Sequence, residues 1–222
     1  MVARRVATQP TWPAFVAPML AQKGAPFDSD EHLFEIKWDG TRMLAFVERD
    51  DYRLVNRHRG DRTAQYPELA CLAGPPSGRC PPSGRCPPAG VILDGEMVVF
   101  HEGRPDFRRL LSRDQTCDPF KIRLLARTLP ATYVVFDLLY EGYQPLLDQP
   151  LSQRRRRLAQ LVRDLGRPQL AFSDGIVGAG RALFDEVCRL GLEGLVAKRL
   201  TSRYRPGKRT RDWIKIKPPG PR

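Results

Sequence analysis

Alternating apolar and polar residues mark three short segments near the start of the chain, over 33–38, 43–48 and 52–56. The turn-forming pairs Asp39-Gly40 and Asp50-Asp51 separate these segments. Alternation with a period of two is typical of strands that bury one face. The pattern therefore predicts a meander of antiparallel strands.

Further along the chain, apolar runs alternate with segments of helical periodicity. Leu151, Leu158 and Leu165 recur at helical spacing, which predicts an amphipathic helix capped by Ser152, with the arginines at 154–157 mostly facing water. The pattern also predicts strands over 91–100, 131–140, 194–199 and 213–217, and helices over 66–72, 107–112, 121–128 and 182–190. Strands in two groups with helices between them predict an α+β fold of two packed, mainly antiparallel sheets with flanking helices and a cleft.

The remaining segments lack periodicity. Residues 1–30 are rich in Pro and Ala and are expected to form an extended N-terminal segment, with one domain over 31–218 and a short tail at 219–222. The segment 74–90 contains a hexapeptide that occurs twice in tandem. Its density of Pro and Gly cannot support a helix or a strand ladder, which predicts an exposed loop.

Composition narrows the function classes. The chain has 37 Lys and Arg against 25 Asp and Glu, a net charge of +12. This surplus favours a polyanionic partner such as nucleic acid, although a solvated basic surface is the alternative. No apolar stretch is long enough to span a bilayer and no secretory signal is present, so no membrane partner is expected. The odd number of cysteines, five, then favours reduced thiols and a cytoplasmic location.

Lys37 is the leading candidate for chemistry, in the run Lys37-Trp38-Asp39-Gly40. A lysine at a strand end beside a glycine turn can approach a phosphate with little steric hindrance. Lys215 and Lys217 alternate with apolar residues on the last strand, so both face one side, where an anion such as phosphate would relieve their repulsion. In isolation the four-residue pattern around Lys37 is equally compatible with a surface hairpin.

Polar residues also interrupt apolar strands elsewhere. Glu96 lies close to Asp94 in an otherwise apolar run, and such carboxylates are costly to bury unless they are paired or bind metal. Glu193 offers oxygen ligands that suit Mg²⁺. Phe136 and Val196 are candidate walls for a nucleobase, with ordinary core residues as the alternative.

The order of these clusters resembles the covalent nucleotidyltransferase superfamily of ATP-dependent DNA ligases, RNA ligases and mRNA capping enzymes. The similarity is greatest to the ligase domain of bacterial end-joining DNA ligases and extends from about Pro18 to Lys217. The runs at 34–40, 93–96, 136–140, 193–198, 204–207 and 211–217 carry it. The resemblance implies an ATP-grasp-like nucleotidyltransferase domain that seals strand breaks in DNA repair and recombination.

The resemblance also implies residue roles. Lys37 would be the nucleophile that forms lysyl-AMP, and Glu193, together with Glu96, would hold Mg²⁺ or Mn²⁺. Arg57 would lie near the ribose and near the 5′-phosphate of nicked DNA, the implied partner. The implied ATP-binding residues are Glu35 at the adenine edge, Ile36, Phe136 stacked on the ring, Val196, Arg42, Arg57 and Glu96 around the ribose, and Lys215 and Lys217 at the α-phosphate.

The sequence departs from this group in two places. The arginine turn usually reads Ser-Arg-Asn-Gly, whereas this chain has Asn56-Arg57-His58-Arg59 before Gly60. The chain also ends at Arg222, without the OB-fold that follows in family ligases. Weak self-adenylation, or a separate OB-fold or end-joining protein as partner, is therefore expected. A relative that binds ATP or nicked DNA without turnover is an alternative, as is an RNA ligase or a GTP-using capping enzyme.

Overall fold

The computed structural model describes residues 12–74 and 88–219. Its strands are β1 Leu20–Lys23, β2 Ser29–Ile36, β3 Thr41–Val47, β4 Tyr52–Asn56, β5 Val91–His101, β6 Arg104–Pro105, β7 Ala131–Glu141, β8 Gln144–Pro145, β9 Leu170–Phe172, β10 Gly175–Gly178, β11 Leu195–Arg199 and β12 Arg209–Ile216. The α-helices are α1 Phe107–Asp114, α2 Pro119–Thr128, α3 Leu151–Leu165 and α4 Gly180–Arg189, and two 3₁₀ turns cover Thr63–Gln65 and Pro67–Leu72. None of the helices in these ranges is long and apolar enough to cross a membrane.

The strands form two sheets, which confirms the predicted α+β architecture. The first sheet has the order β1-β12-β11-β2-β10 and is antiparallel apart from the β1–β12 pair. The second has the order β4-β3-β5-β7-β8, with β6 beside β5 and β9 parallel to β7. The predicted meander is only partly correct: β3 pairs with β4 in antiparallel register, but the other neighbour of β3 is β5, and β2, the expected first strand of the meander, lies in the first sheet.

Strand β3 is buried on both faces and thereby joins two cores. Met43 and Ala45 pack into a core that includes Leu158 of α3, while Leu44 and Phe46 pack into a second core that includes Trp213 of the first sheet. A strand between two cores buries both faces, so the single buried face expected for 43–48 is wrong. The end of β2, the start of β3 and Glu96 in the middle of β5 line one cleft between the sheets.

The start of α3 corrects two predictions. Ser152 does not cap the helix, which begins at Leu151 after Pro150, without a side-chain cap bond. Arg154 and Arg155 do not face water but are buried, because they lie three and four residues after Leu151 on the apolar face. The arginine run is therefore divided between the interior and the surface.

Part of the N-terminal region pairs with the first sheet. Within residues 12–30, β1 adds a parallel strand to β12, and β2 begins at Ser29, several residues before its predicted start. Parallel pairing with a strand far along the chain leaves no local sequence signal. The predicted loop at 74–90 falls largely on residues 75–87, which lie outside the described residues, as do 1–11 and 220–222.

Candidate active site

A cleft of about 550 Å³ lies between the two sheets, a volume typical of small-molecule sites. Both sheets line it, so neither forms the site alone. Of the ATP-binding residues implied by the sequence, the lining includes Glu35, Ile36, Arg42, Arg57, Glu96, Phe136, Val196 and Lys215, together with Lys37. Glu193 joins this group through its ion pair with Lys37, and Lys217 joins it through its ion pair with Glu193.

Strand register accounts for much of this convergence. Glu35 of β2 lies opposite Val196 of β11, which in turn lies opposite Lys215 of β12. Residues directly opposite in neighbouring strands point to the same side of a sheet. One cross-strand row therefore carries three predicted site residues into the cleft.

Lys37 follows β2, and its backbone N–H donates to the carbonyl of Gly194 at 2.8 Å. Its Nζ donates to Glu193 Oε2 at 2.6 Å, and Lys217 Nζ lies 2.6 Å from Glu193 Oε1. One carboxylate therefore bridges two lysines. Gly40 lies in the same motif. A Cβ at this position would lie 2.2 Å from the Met97 carbonyl oxygen, so the turn packs too closely for a side chain.

Lys215 has no carboxylate partner within ion-pair distance among the described residues. Burial is the main cause that lowers its pKa from the ordinary lysine value, and Arg209, Lys37 and Lys217 lower it further. A phosphate at this position would offset all of these effects. The arrangement suits the predicted role of Lys215. The charge of Lys217, in contrast, is already paired with Glu193, so no phosphate between the two lysines is needed to relieve it.

Arg42 forms a bidentate ion pair with Asp94, with Nε–Oδ1 and Nη2–Oδ2 distances of 2.5 Å. Tyr204 donates its hydroxyl to Asp94 Oδ2 at 2.6 Å and accepts the backbone N–H of Met19 at 2.9 Å. The Asp94 carboxylate is therefore paired in a buried salt bridge, which was the alternative to a role in binding metal. The pair fixes the Arg42 guanidinium against the cleft.

Glu96 differs from Asp94 because no described residue donates a hydrogen bond to its carboxylate. Burial is the largest influence and raises the pKa of Glu96 to about 7, while Arg42 and Lys37 act in the opposite direction. Residues 12–74 and 88–219 contain no cluster of three His, Cys, Asp or Glu side chains suited to metal binding. Mg²⁺ is commonly held by one or two carboxylates together with substrate phosphates and water, so Glu96 and Glu193 fit such a site only with a phosphate present.

Phe136 lines the cleft, and the side-chain cations of Lys198 and Arg42 lie close to its ring. The Lys198 Nζ lies 4.0 Å and the Arg42 Cζ 4.5 Å from the ring centroid. Lys198 is buried, and this burial is the main cause that lowers its pKa, with Glu35 acting to raise it. Cations close to an aromatic ring are attracted by its π electrons, and these two cations hold the ring in place where it lines the cleft.

Glu35 is held by two cations, Arg155 of α3 and Lys198 of β11. Arg155 Nη1 donates to Oε1, and Lys198 Nζ donates to Oε2 at 2.6 Å. Arg155 also donates to the Phe136 carbonyl at 3.3 Å and to the Ser173 carbonyl at 2.6 Å. The sequence reasoning missed Arg155, although its position four residues after Leu151, on the buried stripe of α3, was a usable signal.

The basic turn after β4 lies at the rim. Asn56 Oδ1 accepts the N–H groups of His58 and Gly60, each at 2.9 Å, and Arg59 has a left-handed backbone with φ of 67°. The unusual sequence therefore still forms a closed turn, with an arginine in the strained position. Arg57 lines the cleft, is exposed, and its Nε lies 3.0 Å from His58 Nε2.

The cleft between the two sheets brings together an aromatic wall and three lysines, two of them paired with one carboxylate, which suits a nucleotidyltransferase. The model of the family described as "ATP dependent DNA ligase domain" matches residues 18–217. The chain belongs to this family.

Individual relatives agree with this assignment. The multifunctional non-homologous end joining protein LigD of Pseudomonas aeruginosa is 36% identical over 207 residues, covering 92% of this chain and 22% of that protein. The SPbeta prophage-derived DNA ligase-like protein LigB of Bacillus subtilis is 31% identical, covering 91% of this chain and 67% of that protein. The chain thus corresponds to about a fifth of the length of LigD and to most of LigB.

Solved structures show the same fold. The crystal structure of the ligase domain from M. tuberculosis LigD has a TM-score of 0.71 at 31% identity, covering 91% of this chain and 59% of that chain. A mycobacterial DNA ligase D complexed with ATP and MES has a TM-score of 0.71 at 30% identity, covering 91% and 60%. The two-sheet architecture is therefore that of LigD ligase domains.

Proposed function

We propose that this chain is the adenylation domain of an ATP-dependent DNA ligase and that Lys37 is its nucleophile. The observation that carries the proposal is the position of Lys37 in the cleft, hydrogen-bonded to Glu193 in a domain of the ligase family. Lys37 Nζ would bond to the α-phosphorus of ATP while the bond from that phosphorus to pyrophosphate breaks. The product is lysyl-AMP, from which AMP passes to a DNA 5′-phosphate.

The phosphate end of the cleft supports this step electrostatically. Lys37 must lose a proton before it attacks, and Glu193 Oε2 already accepts a hydrogen bond from Nζ at 2.6 Å. Lys215 and Lys217 are cations that would stabilise negative charge on the transferred phosphoryl group, since such transfer depends chiefly on positioning and charge. Glu193 and Glu96 would hold Mg²⁺ or Mn²⁺, which supplies further charge neutralisation to the phosphates.

The nucleoside end consists of the remaining cleft residues. Glu35 and Ile36 would meet the adenine edge, and Phe136 and Val196 its two faces. The ribose would lie near the cluster of Arg42, Arg57 and Glu96. This assignment accounts for the aromatic wall at Phe136 and for Lys215, a cation without a carboxylate partner among the described residues.

Nicked or broken double-stranded DNA is the proposed second substrate, with Arg57 at its 5′-phosphate. The net charge of +12 and the exposed position of Arg57 at the cleft rim support this role. A separate OB-fold or end-joining protein is a proposed partner, and a cytoplasmic location is proposed with it. Residues 31–218, preceded by the segment 1–30 and followed by the tail 219–222, are proposed as the adenylation unit, to which the pairing of β1 adds residues 20–23.

Labelling with ATP tests the nucleophile. The full chain is incubated with Mg²⁺ and ATP radiolabelled at the α-phosphate, and the denatured protein is examined for covalent label. Lys37→Ala should carry none, while Lys121→Ala, an exposed lysine on α2, should match the wild type. Label that persists on Lys37→Ala would exclude Lys37.

Sealing of a pre-adenylated nick separates an enzyme from a binding-only relative, because this step needs no release of pyrophosphate. The wild-type chain should join the strands in the presence of Mg²⁺. Binding of the nick without any joining, at saturating protein, would favour the non-catalytic alternative. A pre-adenylated nick in RNA serves as the comparison for strand preference.

A further inference from the structure

Arg155 makes contacts that the proposed reaction does not require. It lies on α3, which packs against β7 and β9 of the second sheet, and its guanidinium donates to Glu35 of the first sheet. The same group contacts the Phe136 carbonyl and the Ser173 carbonyl, and it packs 4.4 Å from the Phe172 ring centroid. A buried cation with this many directed partners fixes the position of each of them.

We propose that Arg155 is a positioning residue that holds the Glu35 carboxylate as an acceptor at the purine edge and so makes the cleft select a 6-aminopurine over a 6-oxopurine. The inference rests on the proposed function, because it needs the nucleobase to lie between Phe136 and Val196. It concerns the choice of nucleotide, not the transfer step. Arg155 touches no reacting atom.

Geometry favours Arg155 over Lys198 as the group that sets the orientation of Glu35. A lysine ammonium is a point charge on a flexible stem, and it can follow a carboxylate that rotates. The Arg155 guanidinium is planar and is itself anchored by two backbone carbonyls, at 3.3 Å and 2.6 Å. Because one of these belongs to Phe136, a single group fixes both the edge acceptor and the aromatic wall.

The chemistry of the purine edge supplies the selectivity. Adenine presents an amino donor at its 6-position, whereas guanine presents a carbonyl acceptor. A carboxylate whose two oxygens already accept from Arg155 and Lys198 has remaining lone pairs but no proton to donate. It can accept from the adenine amino group, while the guanine carbonyl would face a second acceptor and remain unpaired, a loss that sites of this kind amplify.

The test measures the dissociation constants of ATP and GTP for the full chain by equilibrium binding with Mg²⁺. Arg155→Met should reduce the preference for ATP over GTP by roughly ten- to a hundredfold, the size expected for one hydrogen bond to a charged group. Arg154→Met is the matched control, since Arg154 is the adjacent buried arginine but pairs with Asp137 outside the cleft. It should lower stability and leave the preference unchanged.

Two further arms make the result decisive. In a Glu35→Gln background, Arg155→Met should no longer change the preference, because the group that Arg155 positions is already altered. Arg155→Lys keeps the positive charge but lacks the planar guanidinium, so it should give an intermediate preference for ATP over GTP. If Arg155→Met does not fold, this variant tests the inference in its place. An unchanged ATP-to-GTP ratio in both Arg155 variants would overturn the inference. Absence of ATP binding by the wild type would instead overturn the proposed function.

Discussion

Two carboxylates in this protein each bridge two cations, in very different surroundings. Glu193 pairs with Lys37 and Lys217, and the side chains are 22%, 25% and 51% exposed. Glu35 pairs with Arg155 and Lys198, and the corresponding values are 2%, 8% and 2%. The two clusters contain the same charges and differ in their access to water.

The difference in burial assigns different tasks to the two clusters. Ion pairs in contact with water exchange partners at little cost, so a phosphate or a metal ion can replace one member of the Glu193 cluster. Buried charges lose far more when a partner leaves, so the Glu35 cluster keeps its arrangement whether or not a nucleotide is bound. The reacting end of the cleft is therefore adaptable, and the base-reading end is fixed.

The largest expected effect comes from removing the buried charge. Glu35→Gln keeps the side-chain shape but leaves Arg155 and Lys198 without a counterion. The free energy of unfolding should fall by about 3 kcal/mol, as is usual when one member of a buried pair is removed. Urea denaturation of the variant and the wild type measures this difference, and a loss close to zero would contradict the fixed role of the cluster.

An intermediate effect should appear in the pH dependence of stability. Because the folded pKa of Glu96 is raised to about 7, the folded chain binds more protons than the unfolded chain between the ordinary carboxyl range and that value. Stability from this group is present at low pH and is lost as pH rises through about 7.

The matched variant isolates this contribution, because Glu96→Gln cannot titrate. The free energy of unfolding of the wild type minus that of Glu96→Gln should fall by about 1–3 kcal/mol between roughly pH 5 and pH 8. A difference that stays level across this range, or rises, would mean that Glu96 is ionised throughout and paired in a way that its surroundings do not indicate.

The smallest effect on stability should come from the exposed cluster. Glu193→Gln, the same substitution as in Glu35→Gln, should change the free energy of unfolding by less than about 1 kcal/mol. Raising the salt concentration should reduce even this difference, because mobile ions screen pairs that are in contact with water. A loss as large as that of Glu35→Gln, and independent of salt, would remove the distinction between the two clusters.

Local sequence was sufficient for most of the longer elements and pointed to the cleft. Period-two alternation predicted β3 and β4, and helical spacing of leucines predicted α3 to its last residue, Leu165. The motif around Lys37 led to the cleft, because glycine at position 40 reflects a close backbone approach that few other residues tolerate. The strand and helix patterns depend on interactions between residues near each other in the chain, so the sequence displays them directly.

The tertiary structure decided how the charges are paired. Sequence spacing does not reveal that Asp94 binds Arg42 while Glu96 has no such partner, since both lie in the same strand. Nor does it reveal that Arg155, in a run of four arginines, holds a carboxylate 120 positions earlier. Pairing across such distances depends on the register of strands and on the packing of α3 against the second sheet, and both are set by the whole fold. The sequence determined which groups are available, and burial in the folded chain determined which of them are fixed and which remain free to meet a nucleotide.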